Sequence, residues 1–95
     1  ALLTTGVRLK ETNWLGDEAT MLAAAEAGQP VLARVRSTAE PVAARLSRVG
    51  EAVGVSFDTP EHGVSPGQAC VLYAPEAPDR VLGGGFIERT VGALD

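Results

Sequence analysis

Apolar and polar residues alternate with period two along most of this chain. Val7 and Leu9 alternate with Arg8 and Lys10, and the run extends toward Trp14. Val31, Ala33 and Val35 alternate with Leu32, Arg34 and Arg36. Val42, Ala44 and Leu46 repeat the pattern with Arg45 on the opposite face, and Val53, Val55 and Phe57 repeat it again. Such spacing belongs to strands with one buried face. Ala69 to Tyr73 is short, apolar and β-prone, as a buried strand is, and a last strand is expected from Arg80 to Thr90. One stretch breaks the rhythm. Glu18 to Ala27 is rich in Ala with Leu22 and Met21, Asp17 can cap its start, Glu18 complements the helix dipole, and Gly28 with Pro30 stops it. These residues predict a short helix over 17–28, too short to be stable unless it docks.

Turn chemistry separates the strands. A turn is expected at Gly50-Glu51, a polar loop at 58–63, and a second loop at 75–79. In Ser65-Pro66-Gly67-Gln68, Pro66 presets φ and Gly67 supplies the positive φ that a type II turn needs at its third position. The run Gly83-Gly84-Gly85 allows a bulge, a bend or close backbone approach before Phe86 and Ile87. Six short strands with turn residues at such spacing predict an all-β fold: a small six-stranded antiparallel, Greek-key-like barrel with one short helical insertion. Closure into a barrel also removes exposed strand edges.

Composition narrows the class. The 95 residues make one domain, 1–95, and 45% hydrophobic against 21% charged residues mark it as globular. No apolar run reaches the ~20 residues of a membrane-spanning helix, and the first residues do not read as a signal peptide. A single cysteine excludes an internal disulfide framework and suits a reducing compartment. The chain begins without Met, as expected of a piece of a longer protein.

Charge changes the picture by its distribution. The net charge is −4, yet Arg34, Arg36, Arg45 and Arg48 stand against Glu40 alone, so the segment 34–48 is locally +3. Seven of the eight basic residues are arginine, the side chain suited to bidentate phosphate contacts and base stacking. The plainer alternative is a solvated strand face.

Catalytic chemistry is hard to assemble. Cys70 lies mid-strand among Ala69, Val71 and Leu72, where a thiol is a small core hydrophobe. His62 is the only histidine, in a polar stretch, and supports neither a metal site nor a Ser-His-Asp set. The glycine run lacks the Lys-Ser/Thr pair and following helix of a phosphate-binding loop. Trp14 reads as partial core, with base stacking as the alternative. No catalytic or metal-binding residue is assigned.

Two stretches carry a family resemblance: Gly63 to Tyr73, reading GVSPGQACVLY, and Arg80 to Ile87, reading RVLGGGFI. With Asn13-Trp14-Leu15, Arg34-Val35-Arg36 and Phe57-Asp58 upstream, the chain from about Val7 to Ile87 resembles the C-terminal β-barrel of the bacterial tRNA-specific 2-thiouridylases. The resemblance implies an accessory, tRNA-holding barrel of a cytoplasmic enzyme that replaces the 2-oxygen of the wobble uridine with sulfur. It implies ATP and the sulfur-relaying cysteines in a catalytic domain absent from this sequence, and no cofactor in the barrel. Its implied partners are tRNA near the anticodon arm, the catalytic and central domains of the same chain, and a sulfur-donor protein, with no membrane. Residue by residue, the family's tRNA-contacting Arg-Tyr-Arg reads here as Arg34-Val35-Arg36, with Val35 where the family has Tyr, and its tRNA-touching glutamine is Gln68. The residues alone leave another class open, a protein-interaction barrel like those of translation factors, in which Arg34 and Arg36 meet an acidic partner. A small self-sufficient hydrolase lacks paired catalytic residues.

Overall fold

The alternating segments form six strands around one core. A computed structural model describes residues 3–16, 18–35 and 40–92, with Glu18 described by its backbone. The elements are β1 (Thr4–Trp14), α1 (Glu18–Ala27), β2 (Pro30–Arg34), β3 (Val42–Val49), β4 (Ala52–Glu61), β5 (Ala69–Ala74) and β6 (Ala77–Gly92). All neighbours pair antiparallel in the closed order β1-β4-β3-β2-β5-β6. Strands β2, β3 and β4 form a meander, and the long connection through α1 places β1 beside β4, which is the Greek-key arrangement. The expected all-β barrel with one short helix is the fold observed.

Period two puts the predicted apolar sets inside. Val31, Ala33 and Val35, Ala44 and Leu46, and Val53, Val55 and Phe57 are all buried, joined by Val7, Leu9, Leu72 and Ile87. Helix α1 closes one end. Met21, Ala24 and Ala25 recur at the i, i+3, i+4 spacing and enter the same core, while Leu22 and Trp14 pack against it half-buried. The helix ends in a Schellman motif: Gln29 N–H donates to Ala24 O (3.0 Å), Gly28 N–H donates to Ala25 O (3.2 Å), and Gly28 takes φ +67°. The expected N-cap, Asp17, lies outside the described residues.

The glycine run is a point of close approach. A Cβ on Gly83 would sit 2.3 Å from Asn13 O, one on Gly84 2.3 Å from Cys70 O, and one on Gly85 2.8 Å from Lys10 O. Strand β6 is squeezed between the backbones of β1 and β5 there, and β1 bulges opposite it between Lys10 and Asn13. Glu11, inside that bulge, has φ +51°.

Two expected loops are strand instead. Residues 58–61 of the polar stretch continue β4, because closure gives them a partner: Thr4 pairs with Glu61. Between that pair and Gly6↔Ser56, β1 advances two residues while β4 advances five, so Pro60 falls in a bulge where no ladder donor is required. Of the stretch 75–79, only Pro75-Glu76 turns; Ala77 already pairs with Ala74. Hairpin closure there overrides the weak strand propensity of Pro78 and Asp79.

Candidate nucleic-acid interface

The Pro66-Gly67 turn has the geometry its residues dictate. Gly67 has φ +91°, Gln68 N–H reaches back to Ser65 O (3.4 Å), and the turn is tied to β6 by Gly67 N–H to Ile87 O and Ile87 N–H to Gln68 O, both 2.8 Å. Gln68 differs from an exposed amide at a turn tip. It is half-buried, and its side-chain oxygen accepts a hydrogen bond from Ser65 N–H at 3.0 Å. The side chain therefore braces its own turn with the acceptor and keeps the NH2 group as a donor.

The arginine-rich strand divides by parity. Arg34 pairs with Val71 of β5 on the outer wall and is half-buried. Val35 is only 3% exposed and lies in the core, so its side chain offers an RNA nothing to touch. Arg36 lies outside the described residues. Arg34 on β2 and Gln68 in the turn leading into the neighbouring β5 lie at the same end of the barrel, opposite α1: Arg34 is level with Val71, three residues beyond Gln68. Their side chains do not share a face. Gln68 has the parity of inward Cys70, whereas Arg34 has that of outward Val71. The fold brings the two together at one rim, without placing them on one flat surface.

The other two arginines of the basic segment serve the fold. Arg48 Nη1 lies 2.7 Å from Glu26 Oε1 in α1, and its Nη2 donates to Gly50 O at 3.1 Å. Arg45 Nη1 donates to Gly28 O at 3.3 Å, at the electronegative C-terminus of the helix. A segment that reads as a basic patch is thus half helix clamp.

Burial pushes the Cys70 thiol up from 9.0 to about 12, leaving it protonated and unreactive near neutrality. His62 is exposed, and the described residues hold no cluster of three or more His, Cys, Asp or Glu that could seat a metal. The glycine run, packed against neighbouring backbone, has no room to cradle a phosphate. At the α1 end, Trp14, Thr20, Gln29, Glu76 and Arg80 border an open cleft of about 560 Å³. Among the described residues, no helix is long and apolar enough to cross a membrane.

Sequence reasoning passed over Phe86. With Ile87 fully buried, alternation turns Phe86 to the outer wall, where it is 44% exposed beside exposed Lys10. The parity of the two residues after the glycine run was the signal available.

Comparison with known proteins bears on this frame of turn, crowded glycines and closed barrel. Residues 4–87 match the family described as the aminomethyltransferase β-barrel domain. The tRNA-specific 2-thiouridylase MnmA of Caulobacter vibrioides is 60% identical over 95 residues, all of this chain and 25% of the relative. The protein of that name from Methylobacterium sp. is 52% identical over 98% of this chain and 24% of its own length. That from Agrobacterium fabrum is 49% identical over all of this chain and 24% of its own length. The chain spans about a quarter of the length of these relatives. It belongs to the aminomethyltransferase β-barrel domain family, in the form of the C-terminal barrel of the tRNA-specific 2-thiouridylases.

Proposed function

We propose that this chain is the tRNA-binding accessory barrel of an ATP-dependent tRNA-uridine 2-sulfurtransferase, which 2-thiolates the wobble uridine. The observation that carries the reading is sequence identity of 49–61% across 95–100% of the chain with proteins bearing the 2-thiouridylase name. The barrel's own chemistry supports a holding role. Its thiol is buried, and one rim brings together an arginine on the outer wall and an amide donor in the adjoining turn, groups of the kind that grip phosphate and ribose without reading sequence. On this reading, ATP and a sulfur-donor protein engage other domains of the same cytoplasmic polypeptide, and the barrel meets the tRNA near its anticodon arm. Arg34 makes a phosphate contact, Arg36 follows it along the same segment, and Gln68 contributes its NH2 donor while its oxygen holds the turn. Val35 contributes as core beneath them.

The test is tRNA affinity of the full-length gene product across a salt series, wild type against Arg34→Ala. Loss of one phosphate contact weakens binding by about 1 kcal/mol and lowers the slope of log K against log salt by about one. Wild-type affinity and slope in that variant would take the barrel off the tRNA and favour the protein-interaction role, with Arg34 facing an acidic partner.

A further inference from the structure

Phe86 is one of four aromatic residues in the chain, and it is the aromatic that the fold leaves on an open wall. Its register partners are Lys10 on β1 and Ala69 on β5, both exposed. The next outward row on the same wall runs from Gly84 to Val71 to Arg34. A methyl group and a glycine flank the ring, so nothing bulky on β5 or the preceding row of β6 covers its face.

The charge on this wall opposes that of the whole chain. Arg8, its register partner Arg89, Lys10 and Arg34 occupy outward positions, against Glu88, whose Oε1 lies 2.9 Å from Arg8 Nε. These five groups sum to +3 in a chain of net charge −4. Glu11, in the adjacent bulge, stands outside the ladder with no register partner. Lys10 is one strand from Phe86, ~5 Å between Cα atoms, and Arg34 is two strands over and one row along, ~12 Å. Two long cationic side chains therefore bracket an open aromatic ring.

We infer that Phe86 is a stacking platform for one unpaired nucleobase of a bound RNA, with Lys10 and Arg34 meeting the phosphates on either side. The inference rests on the tRNA-binding reading above and adds a site to it. An exposed aromatic among cations is the arrangement that holds single-stranded nucleic acid irrespective of sequence, since every base has a π-face. A protein-docking patch requires contiguous apolar surface, and the ring's immediate neighbours are Lys10, Ala69, Gly84 and Glu88.

The experiment measures tRNA affinity of the full-length gene product at two salt concentrations for wild type, Phe86→Ala, Phe86→Leu and Phe86→Trp. Because position 86 is on the surface, all four should melt alike. Stacking predicts about tenfold weaker binding for Phe86→Ala and Phe86→Leu with an unchanged salt slope, since no cation is removed. Phe86→Trp should keep wild-type affinity, and its added indole emission should be quenched as tRNA saturates the protein. Wild-type affinity in Phe86→Leu, or unquenched emission in Phe86→Trp, overturns the inference, the former pointing to an apolar contact with another protein segment. If Phe86→Ala is neutral while Arg34→Ala is impaired, the platform fails and the tRNA-binding reading stands. A wild type that does not bind tRNA overturns both.

Discussion

The two ends of the barrel are closed by different means. At the α1 end, side chains do the closing: Met21, Ala24 and Ala25 enter the core, and Arg45 and Arg48 on β3 hold the helix by a carbonyl and a carboxylate. At the opposite rim, half-buried Val64 of the β4–β5 connection packs against the core, and backbone geometry holds the turn that follows. Gly67 turns the chain at φ +91°, Gln68 braces the turn, and two main-chain bonds tie it to Ile87. The contrast decides what becomes of charge. Arg45 and Arg48 hold the helix, while Arg34, from the same basic segment and with an interaction of its own, stands on the outer wall with Lys10 and Phe86. Local net charge in a sequence therefore overstates what a surface can offer a polyanion; the partner of each cation has to be known first.

The contrast breaks most visibly at Met21. It is 2% exposed at the helix–barrel junction, so Met21→Ala should cost about 3 kcal/mol of stability in a denaturant titration. A loss well below 1 kcal/mol would mean that α1 covers the barrel without sealing it.

The opposite rim should fail for another reason. A Cβ at Gly67 meets nothing within 4 Å, so Gly67→Val is penalised by its positive φ alone, about 1–2 kcal/mol, and Gly67→Ala should cost nearly as much. Thermal melting of both variants checks this. A large gap between Ala and Val would reveal crowding in place of backbone strain, and unchanged midpoints would show that the turn relaxes.

The smallest effect sharpens the comparison furthest. The Arg48–Glu26 pair is partly exposed, so Arg48→Ala should cost about 0.5 kcal/mol, less in high salt. Its tRNA affinity should match wild type, unlike that of Arg34→Ala. Equal binding defects in the two variants would mean that the clamp arginines also face the RNA.

How far the sequence could be read varied with the kind of interaction. Strands with a buried face were legible because Val31, Ala33 and Val35 or Val53, Val55 and Phe57 record their inward side every second residue. The Gly67 turn and the Gly28 helix stop were legible because backbone conformation is written locally. Residues 58–61 and 77–79 were not legible as strand. They bury little, they include Pro60 and Pro78, and only register with Thr4 and Ala74 makes them extended. In the candidate interface, Arg34 could be set outward from alternation alone. Gln68 could not be placed, because an amide three residues from a backbone N–H either braces its turn or faces solvent, and the sequence is the same in both cases.

The sequence by itself determined the parity of each core strand, the two glycine-dependent stops, and, through the PGQ turn and the glycine run, the family. Each of these depends on residues within about one turn or one strand of one another. Tertiary structure decided the rest. It spent Arg45 and Arg48 on a helix some twenty residues upstream, packed the Gly83–Gly85 backbone against β1 and β5, and brought Phe86, Lys10 and Arg34 to one wall from three strands. The physical reason is register. Alternation says which way a side chain points, but only closure of the barrel says which residues stand beside it.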